Sequence, residues 1–363
     1  MIKVFEVVEC GGPGGTGEQV AAICNRLDPN KFAVALVYAV RDSSPEAYRA
    51  KCGGAKTAYY VPEMTRELAP VADTAALRKL HRLFTEHRPD VVHAHSSKAG
   101  VLARAAAKAA GIKKIYYSPH GYSFLMQDRS PAERALFRMV ERGAARIGET
   151  IAVSPSEAEF ARKLALRRPI HVVCDAYLGD SPELLPHDDV VVGSCGRMTY
   201  ARNPDAWVLL VQRLTDSRNG IRCEWIGGGE DEAKARTNLT NMNLLMKVSI
   251  TGWVTAEQAR EKMRGLDIFV HYSRWDALSN AVLEAMALGL PVVASDVPGN
   301  RDLVEDGVTG FLVKSEVELL ERCQLLLDDD PLRRRLGAAG RERMRREFSP
   351  EHQIAELSRL YSA

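Results

Sequence analysis

Asp276 and Glu284 stand eight positions apart in the stretch YSRWDALSNAVLEAMALGLPVVASDVPGNRDLVEDGVTGFL, residues 272–312. A small-residue turn and a helix start lie between them, and the buried-strand pattern PVVAS (291–295) follows. Residues 277–281 then form a loop-to-helix junction whose free backbone N–H groups face an anion. A carboxylate on the first turns of that helix, as Glu284 would be, suits bidentate binding of a ribose diol. Asp276, at the preceding strand end, would reach the hydroxyls of a sugar. Acid, amides and acid in this order suit a sugar, a diphosphate and a ribose held in line. Two acids on a solvated helix are the plainer alternative, which the apolar surroundings VLEAMALGLPVVAS disfavour.

Arg197 follows Gly196 at the end of the strand pattern 190–195, and Arg202 lies five residues on. Two cations there would neutralise a diphosphate without a metal, each through a planar multidentate fork. No convincing D-x-D metal motif occurs, and Asp328-Asp329-Asp330 before Pro331 reads as a helix cap. His93, His95 and His120 fall at strand C-termini, where open α/β sheets bind ligands. His93 and His95, two apart, share a strand face. No nearby acid or cysteine is expected to complete a ligand set, so no metal is expected. His120, in the turn Pro119-His120-Gly121, could donate to a sugar hydroxyl or bond to backbone.

Gly12-Pro13-Gly14-Gly15-Thr16-Gly17 satisfies G-x-G-x-x-G between a strand and a helix, with Asp42 some way beyond. A dinucleotide would fit that fingerprint, but so would any ligand needing close backbone approach and a helix N-terminus, a leaving diphosphate included. Glu18 and Gln19 in the first turn either contact a polar ligand or favour the helix dipole. Glu18, His93 and His95 are the candidates for contact with an acceptor.

These residues need strands and helices to hold them. KVFEVVE (3–9), FAVALVYAV (32–40), DVVHAH (90–95), KIYYSPHGY (114–122) and TIAVSPSE (150–157) read as strands or strand-to-turn runs alternating with helical patterns. DAYLGDSPELLPHDD (175–189) interrupts the alternation as a linker, and the pattern restarts with VVVGSCGR (190–197), CEWIGGGEDE (223–232), VSITGWV (248–254), DIFVHY (267–272) and PVVAS. The expected architecture is α/β, with two Rossmann-like domains of parallel strands, residues 1–174 and 190–348. A capped amphipathic helix over 349–363 packs back toward the first domain. The site is expected in the cleft between the halves, closing on its ligand.

The 363 residues suit two domains, and 46% hydrophobic with 26% charged residues is ordinary for a globular protein. A net charge of +2 implies no bulk polyanion such as nucleic acid. The basic runs at 78–82, 161–168 and 333–335 read as solvated faces, or as footings on an anionic membrane. Seven cysteines without a C-x-x-C pair suit free thiols in a reducing cytoplasm. No signal peptide and no spanning run of about 18 apolar residues is seen, so a cytoplasmic protein is expected, with peripheral attachment at the inner face of the membrane left open.

Taken together these motifs resemble glycosyltransferase family 4, retaining enzymes of the GT-B fold. LEAMALGLPVVASDVPGNRDLVEDGVTGFLV is similar to the family's C-terminal signature, the E-x7-E pair falls on Asp276 and Glu284, and the Arg/Lys pair falls on Arg197 and Arg202. VHAHSSKAGVLAR and SPHGYSF are similar to N-domains of bacterial polysaccharide-assembly members. The resemblance implies that Glu284 binds the ribose and that Arg197 and Arg202 hold the diphosphate. It implies that backbone at Leu278, Ser279, Asn280 and Ala281 supports phosphates and sugar, and that Trp253 and Val254 border the base. Gly15 and Thr16 would approach the donor from the N-domain, and His120 would touch its sugar. It further implies a UDP-sugar donor, a glycan or lipid-linked acceptor, and no metal or other cofactor. Three residues depart from the family pattern: Asp276 for Glu, Ala277 for Gly and Arg202 for Lys. A nucleotide-sugar 2-epimerase or hydrolase, a non-catalytic relative and an NAD-dependent oxidoreductase are the alternatives.

Overall fold

A computed structural model describes the chain except Pro13, Asp42, Arg66, Ala165, Leu166, Ser181, His187 and Asp188. Asp42 and Pro13 of the glycine-loop fingerprint therefore lie outside the described residues. Two compact units emerge: Met1–Leu178 with Pro350–Ala363, and Gly179–Ser349. The boundary falls inside the stretch 175–189, and the C-terminal helix Pro350–Ser362 belongs to the first unit.

The first unit holds β1 (Ile2–Gly11), β2 (Phe32–Val40), β3 (Thr57–Tyr60), β4 (Val91–His95), β5 (Lys114–Ser118), β6 (Glu149–Ala152) and β7 (Ile170–Val172). They form one parallel sheet in the order β3-β2-β1-β4-β5-β6-β7. Helices cover both faces, so central strands such as β2 are apolar nearly throughout. Strand order reverses between β1 and β4, where Glu6 pairs with His93 and Val8 with His95.

The second unit holds β8 (Val190–Cys195), β9 (Ile221–Ile226), β10 (Val248–Ile250), β11 (Ile268–His271), β12 (Val292–Ser295) and β13 (Gly310–Val313). Its parallel sheet runs β10-β9-β8-β11-β12-β13, reversing between β8 and β11. A crevice at such a reversal, outside the strand C-termini, is where open α/β sheets take ligands. The loops after β8 and β11 carry Arg197, Arg202 and Asp276. Beneath them Trp207 and Trp225 pack edge to face, with ring centroids 5.3 Å apart.

Local sequence sets the helix starts. Ser279 caps the helix Asn280–Leu288 by accepting from Val282 N, and Gly289, at φ 85°, ends it. Asp329 caps Asp330–Glu347 as expected, and Ser154 accepts from Glu157 N at the start of Pro155–Leu164.

Candidate active site

Asp276 is engaged through both of its carboxylate oxygens. Its Oδ2 accepts from the Arg202 guanidinium and lies 3.0 Å from His271 Nε2, while its Oδ1 accepts from its own neighbour Ala277 N. Burial alone would raise its pKa, but the Arg202 charge and the His271 contact outweigh burial and hold the carboxyl at about 2. Burial pushes the His271 imidazole down, with Asp276 opposing. The sequence-based reading aimed Asp276 at sugar hydroxyls. In the folded chain its carboxylate holds Arg202, because His271 at the end of β11 and Arg202 on the turn after β8 converge on it. His271 itself escaped the sequence reading, although a histidine ending the apolar run DIFVH was the available signal.

Arg197 forks onto Glu230, with Nη2–Oε1 at 2.7 Å and Nε–Oε2 at 3.1 Å, and stands over the exposed Trp253 ring. Glycines make this arrangement possible. A Cβ at Gly227 would meet Gly196 O at 2.3 Å, and one at Gly229 would meet Met198 O at 2.3 Å. The turns after β8 and β9 therefore pack backbone on backbone and bring Arg197, Glu230 and Trp253 together. Gly196, at φ 135°, lies beside Arg202 Nε, so both arginines belong to one strand-end loop. Gly299 packs equally closely under the acid: its Cβ would meet Ala277 O at 2.5 Å.

Leu278 and Ser279 are buried at the start of Asn280–Leu288, whereas Asn280 and Ala281 are partly exposed. Glu284, on the second turn, is partly buried and lies 3.5 Å from Arg260 Nη1. Val254 is partly buried beside Trp253.

In the first unit the three histidines meet, but only one faces a cavity. His93 and His95 share a face as expected, with rings 4.0 Å apart, yet both are fully buried and neither lines the cavity that His120 lines. Their partners correct the expectation that no acid lies near. Glu6 of β1 sits between them, its Oε2 2.8 Å from His95 Nε2, because β1 pairs with β4 in that register. The donor atoms of Glu6, His93 and His95 lie within 4.8 Å of one another. Every imidazole nitrogen already has a hydrogen-bond partner: Tyr361 OH and Ser118 Oγ for His93, Glu6 and His120 for His95.

The proton positions follow from acceptor chemistry. A carboxylate only accepts, so His95 Nε2 donates to Glu6 and its Nδ1 accepts from His120 Nε2 at 3.0 Å. His120 Nδ1 then donates to Asp175 Oδ2 at 3.1 Å. With His95 neutral, as its lowered pKa favours, His120 carries both protons. Burial opposes its charge, but Asp175, helped by Glu157 and Glu9, outweighs burial and raises its pKa, whereas burial lowers those of His95 and His93. Its backbone, at φ 49°, is strained for a non-glycine, at a cost of about 1–3 kcal/mol that these bonds offset. Nearby, burial raises Glu157 to about 7 while it accepts from Gly121 N and Val153 N.

His120, Thr16, Lys98 and Ser123 line a cavity of about 500 Å³ within the first unit. Glu18 does not line it and pairs with Lys51. Gly15 begins the helix Gly15–Arg26, and Gly17 packs against Gly12 O, so the third glycine serves the turn itself. Glu9, Asp175 and Glu157 join the site unpredicted. An acid inside an otherwise apolar strand, as in KVFEVVEC, was the readable sign for Glu6 and Glu9.

The Asp175–His120 bond stabilises the fold below the ordinary imidazole pKa, and that contribution is lost as pH rises through the higher folded value. Asp175→Asn is therefore expected to cost about 1.5–3 kcal/mol at acidic pH and much less at alkaline pH. Urea unfolding of both proteins across that range checks this. A difference that stays constant with pH would refute the charged His120.

Comparison with known proteins matches the chain at both halves. Residues 13–176 match the model of glycosyltransferase family 4, and residues 180–343 that of glycosyl transferases group 1. The chain is 26% identical to UDP-Gal:alpha-D-GlcNAc-diphosphoundecaprenol alpha-1,3-galactosyltransferase of Escherichia coli, over 84% of this chain and 83% of that one. It is 24% identical to the capsular polysaccharide biosynthesis glycosyltransferase CapM of Staphylococcus aureus, over 84% of each. Among solved structures, Anabaena Alr3699/HepE in complex with UDP and glucose superposes with a TM-score of 0.82 at 18% identity, covering all of both chains. Sucrose-phosphate synthase from Thermosynechococcus elongatus gives a TM-score of 0.82 at 18% identity, covering 99% of this chain and 98% of that one. With both halves matched in order and two doubly wound parallel sheets beneath them, the chain belongs to glycosyltransferase family 4 and is a glycosyltransferase of the GT-B fold.

Proposed function

We propose that this glycosyltransferase moves a hexose from a UDP-sugar to a lipid-linked glycan, with retention at the anomeric carbon and without a metal. The observation that carries the reading is the pair Arg197 and Arg202 on one loop at the end of β8, in the unit where the helix Asn280–Leu288 starts. Two cations and a helix N-terminus supply positive charge where a diphosphate departs, a task a divalent ion performs in other sites. Arg202 is held for that task by Asp276 and His271. Glu284 takes the ribose diol, and Trp253 and Val254 border the base. As the sugar–phosphate bond breaks, the acceptor hydroxyl attacks the oxocarbenium-like carbon from the same face. Its proton passes to the departing diphosphate.

Support for UDP is the donor in the name of the E. coli relative and the UDP bound by Anabaena HepE. Support for a lipid-linked acceptor is the diphosphoundecaprenol in that same name. In the first unit, His120 and Lys98 at the cavity are groups that would meet an anionic acceptor. No described helix is long and apolar enough to cross a membrane, and the protein is read as cytoplasmic, meeting its acceptor at the inner membrane face.

A thermal-shift panel with UDP, GDP, ADP and NAD, each with and without EDTA, tests the reading. UDP at 100 times its Kd adds about 2.7 kcal/mol of stability by mass action, with no change from EDTA. A shift with NAD alone would transfer the site to the glycine loop. A UDP shift abolished by EDTA would refute metal independence.

A further inference from the structure

We propose that the outward face of the helix Pro131–Ala144 docks this protein on an anionic lipid bilayer. A capping box starts this helix: Ser130 Oγ accepts from Glu133 N, and Glu133 accepts from Ser130 N. Its polarity is inverted relative to an ordinary surface helix, which turns its apolar stripe to the core. The inward side packs Phe137 on the cluster of Tyr117, Tyr122 and Phe124 and otherwise carries polar groups. Glu141, 3% exposed, accepts from Arg104 Nη2 at 3.0 Å and from Tyr117 OH at 2.8 Å. Arg134 Nε donates to Phe124 O.

The apolar stripe faces water. Leu136, Met139 and Val140, spaced i, i+3, i+4, are 40%, 65% and 40% exposed. Leu68 and Val71 are also strongly exposed, and Leu68 lines the same cavity as Leu136 and Val140. Clustered exposed apolar groups of this kind mark an interaction surface.

Charge selects the occupant. Arg142 and Arg146 are exposed at the C-terminal end of the helix, and Arg138 flanks the stripe. The acids Asp128 and Glu133 sit at the opposite, N-terminal end, Glu67 and Asp73 beside Leu68 and Val71 pair with Arg129 and Lys98, and Glu141 is buried against Arg104. An apolar stripe bordered by arginines is the pattern of a helix lying in a bilayer interface, with guanidinium groups reaching anionic headgroups. The cavity beside the stripe is lined by the apolar side chains Leu68, Leu136 and Val140 and by the cations Lys98 and Arg129, which pair with its acids Asp73, Glu67 and Glu133. The docking does not depend on the lipid-linked acceptor proposed above.

The test is co-sedimentation of the full chain with vesicles of phosphatidylcholine alone, or with roughly a third phosphatidylglycerol. Binding is expected on the anionic vesicles, weakened about tenfold or more by Met139→Asp and about fivefold by Arg142→Glu. Neither residue lines the cavity, so both variants should keep the wild-type thermal shift with UDP. Absence of wild-type binding, or equal binding by the variants, would overturn the docking. So would light scattering that shows a wild-type dimer dissolved by Met139→Asp, since the face would then be a subunit interface. Sedimentation without any UDP shift would leave docking standing and remove the donor reading.

Discussion

Replacing Arg202 with alanine is expected to lower turnover by about 10²–10³-fold, the usual cost of removing one fixed group aimed at developing negative charge. The side chain leaves the short turn Tyr200–Arg202 and is anchored by Asp276, with His271 Nε2 3.5 Å away. That anchoring holds the guanidinium in place before any diphosphate arrives, so little reorganisation is needed during reaction. The substitution also strands Asp276, which is 9% exposed, without its cation. A stability loss of about 1–3 kcal/mol should follow, moderated because Arg202 is partly in water. The wild-type contribution of Asp276 is present above the ordinary carboxylate range and is lost only as pH falls toward about 2. The variant should lose that acid tolerance. Arg202→Lys restores charge without the fork and should recover stability more fully than turnover. Steady-state kinetics with urea unfolding separate the two effects. Turnover within threefold of wild type in Arg202→Ala would refute the diphosphate role.

Glu284→Ala should weaken UDP binding by about 10- to 100-fold, the loss of charge-assisted bonds to a diol. Glu284 is well placed for this, on the second turn of a helix whose start is fixed by the Ser279 cap. Arg260 Nη1 lies 3.5 Å from its carboxylate. Calorimetry with UDP and 2′-deoxy-UDP isolates the contact. Wild type should prefer UDP by about tenfold or more, and the variant should bind the two alike. A preference that survives in Glu284→Ala would place the ribose elsewhere.

The two predictions differ in how visible their residues were beforehand. The place of Glu284 on its helix was legible because a local signal, an acid on a helix beginning after a small-residue turn, survives folding unchanged. Arg202 was legible as a cation near a strand end, but its partners were not. Asp276 and His271 lie 74 and 69 positions away in sequence, and they meet Arg202 only because β8 and β11 are adjacent in the sheet. The same holds for Glu6, 89 positions from His95, and for Tyr361, 355 positions from Glu6. The expectation that no acid lay near the two histidines failed for that reason: proximity across strands is set by strand order, which periodicity does not contain.

The exposed stripe on Pro131–Ala144 carries a related lesson. Its spacing suits a core-facing helix, and only the surrounding packing, with Glu141 drawn inward by Arg104 and Tyr117, turns that face to water. Sequence alone determined the alternating strands and helices, the glycine turns, the helix caps and the chemical types at the strand ends, because each depends on residues within a turn or two of one another. Tertiary structure decided which carboxylate neutralises which cation, which histidine is buried and which faces the cavity, since burial and pairing arise only when distant strands register side by side.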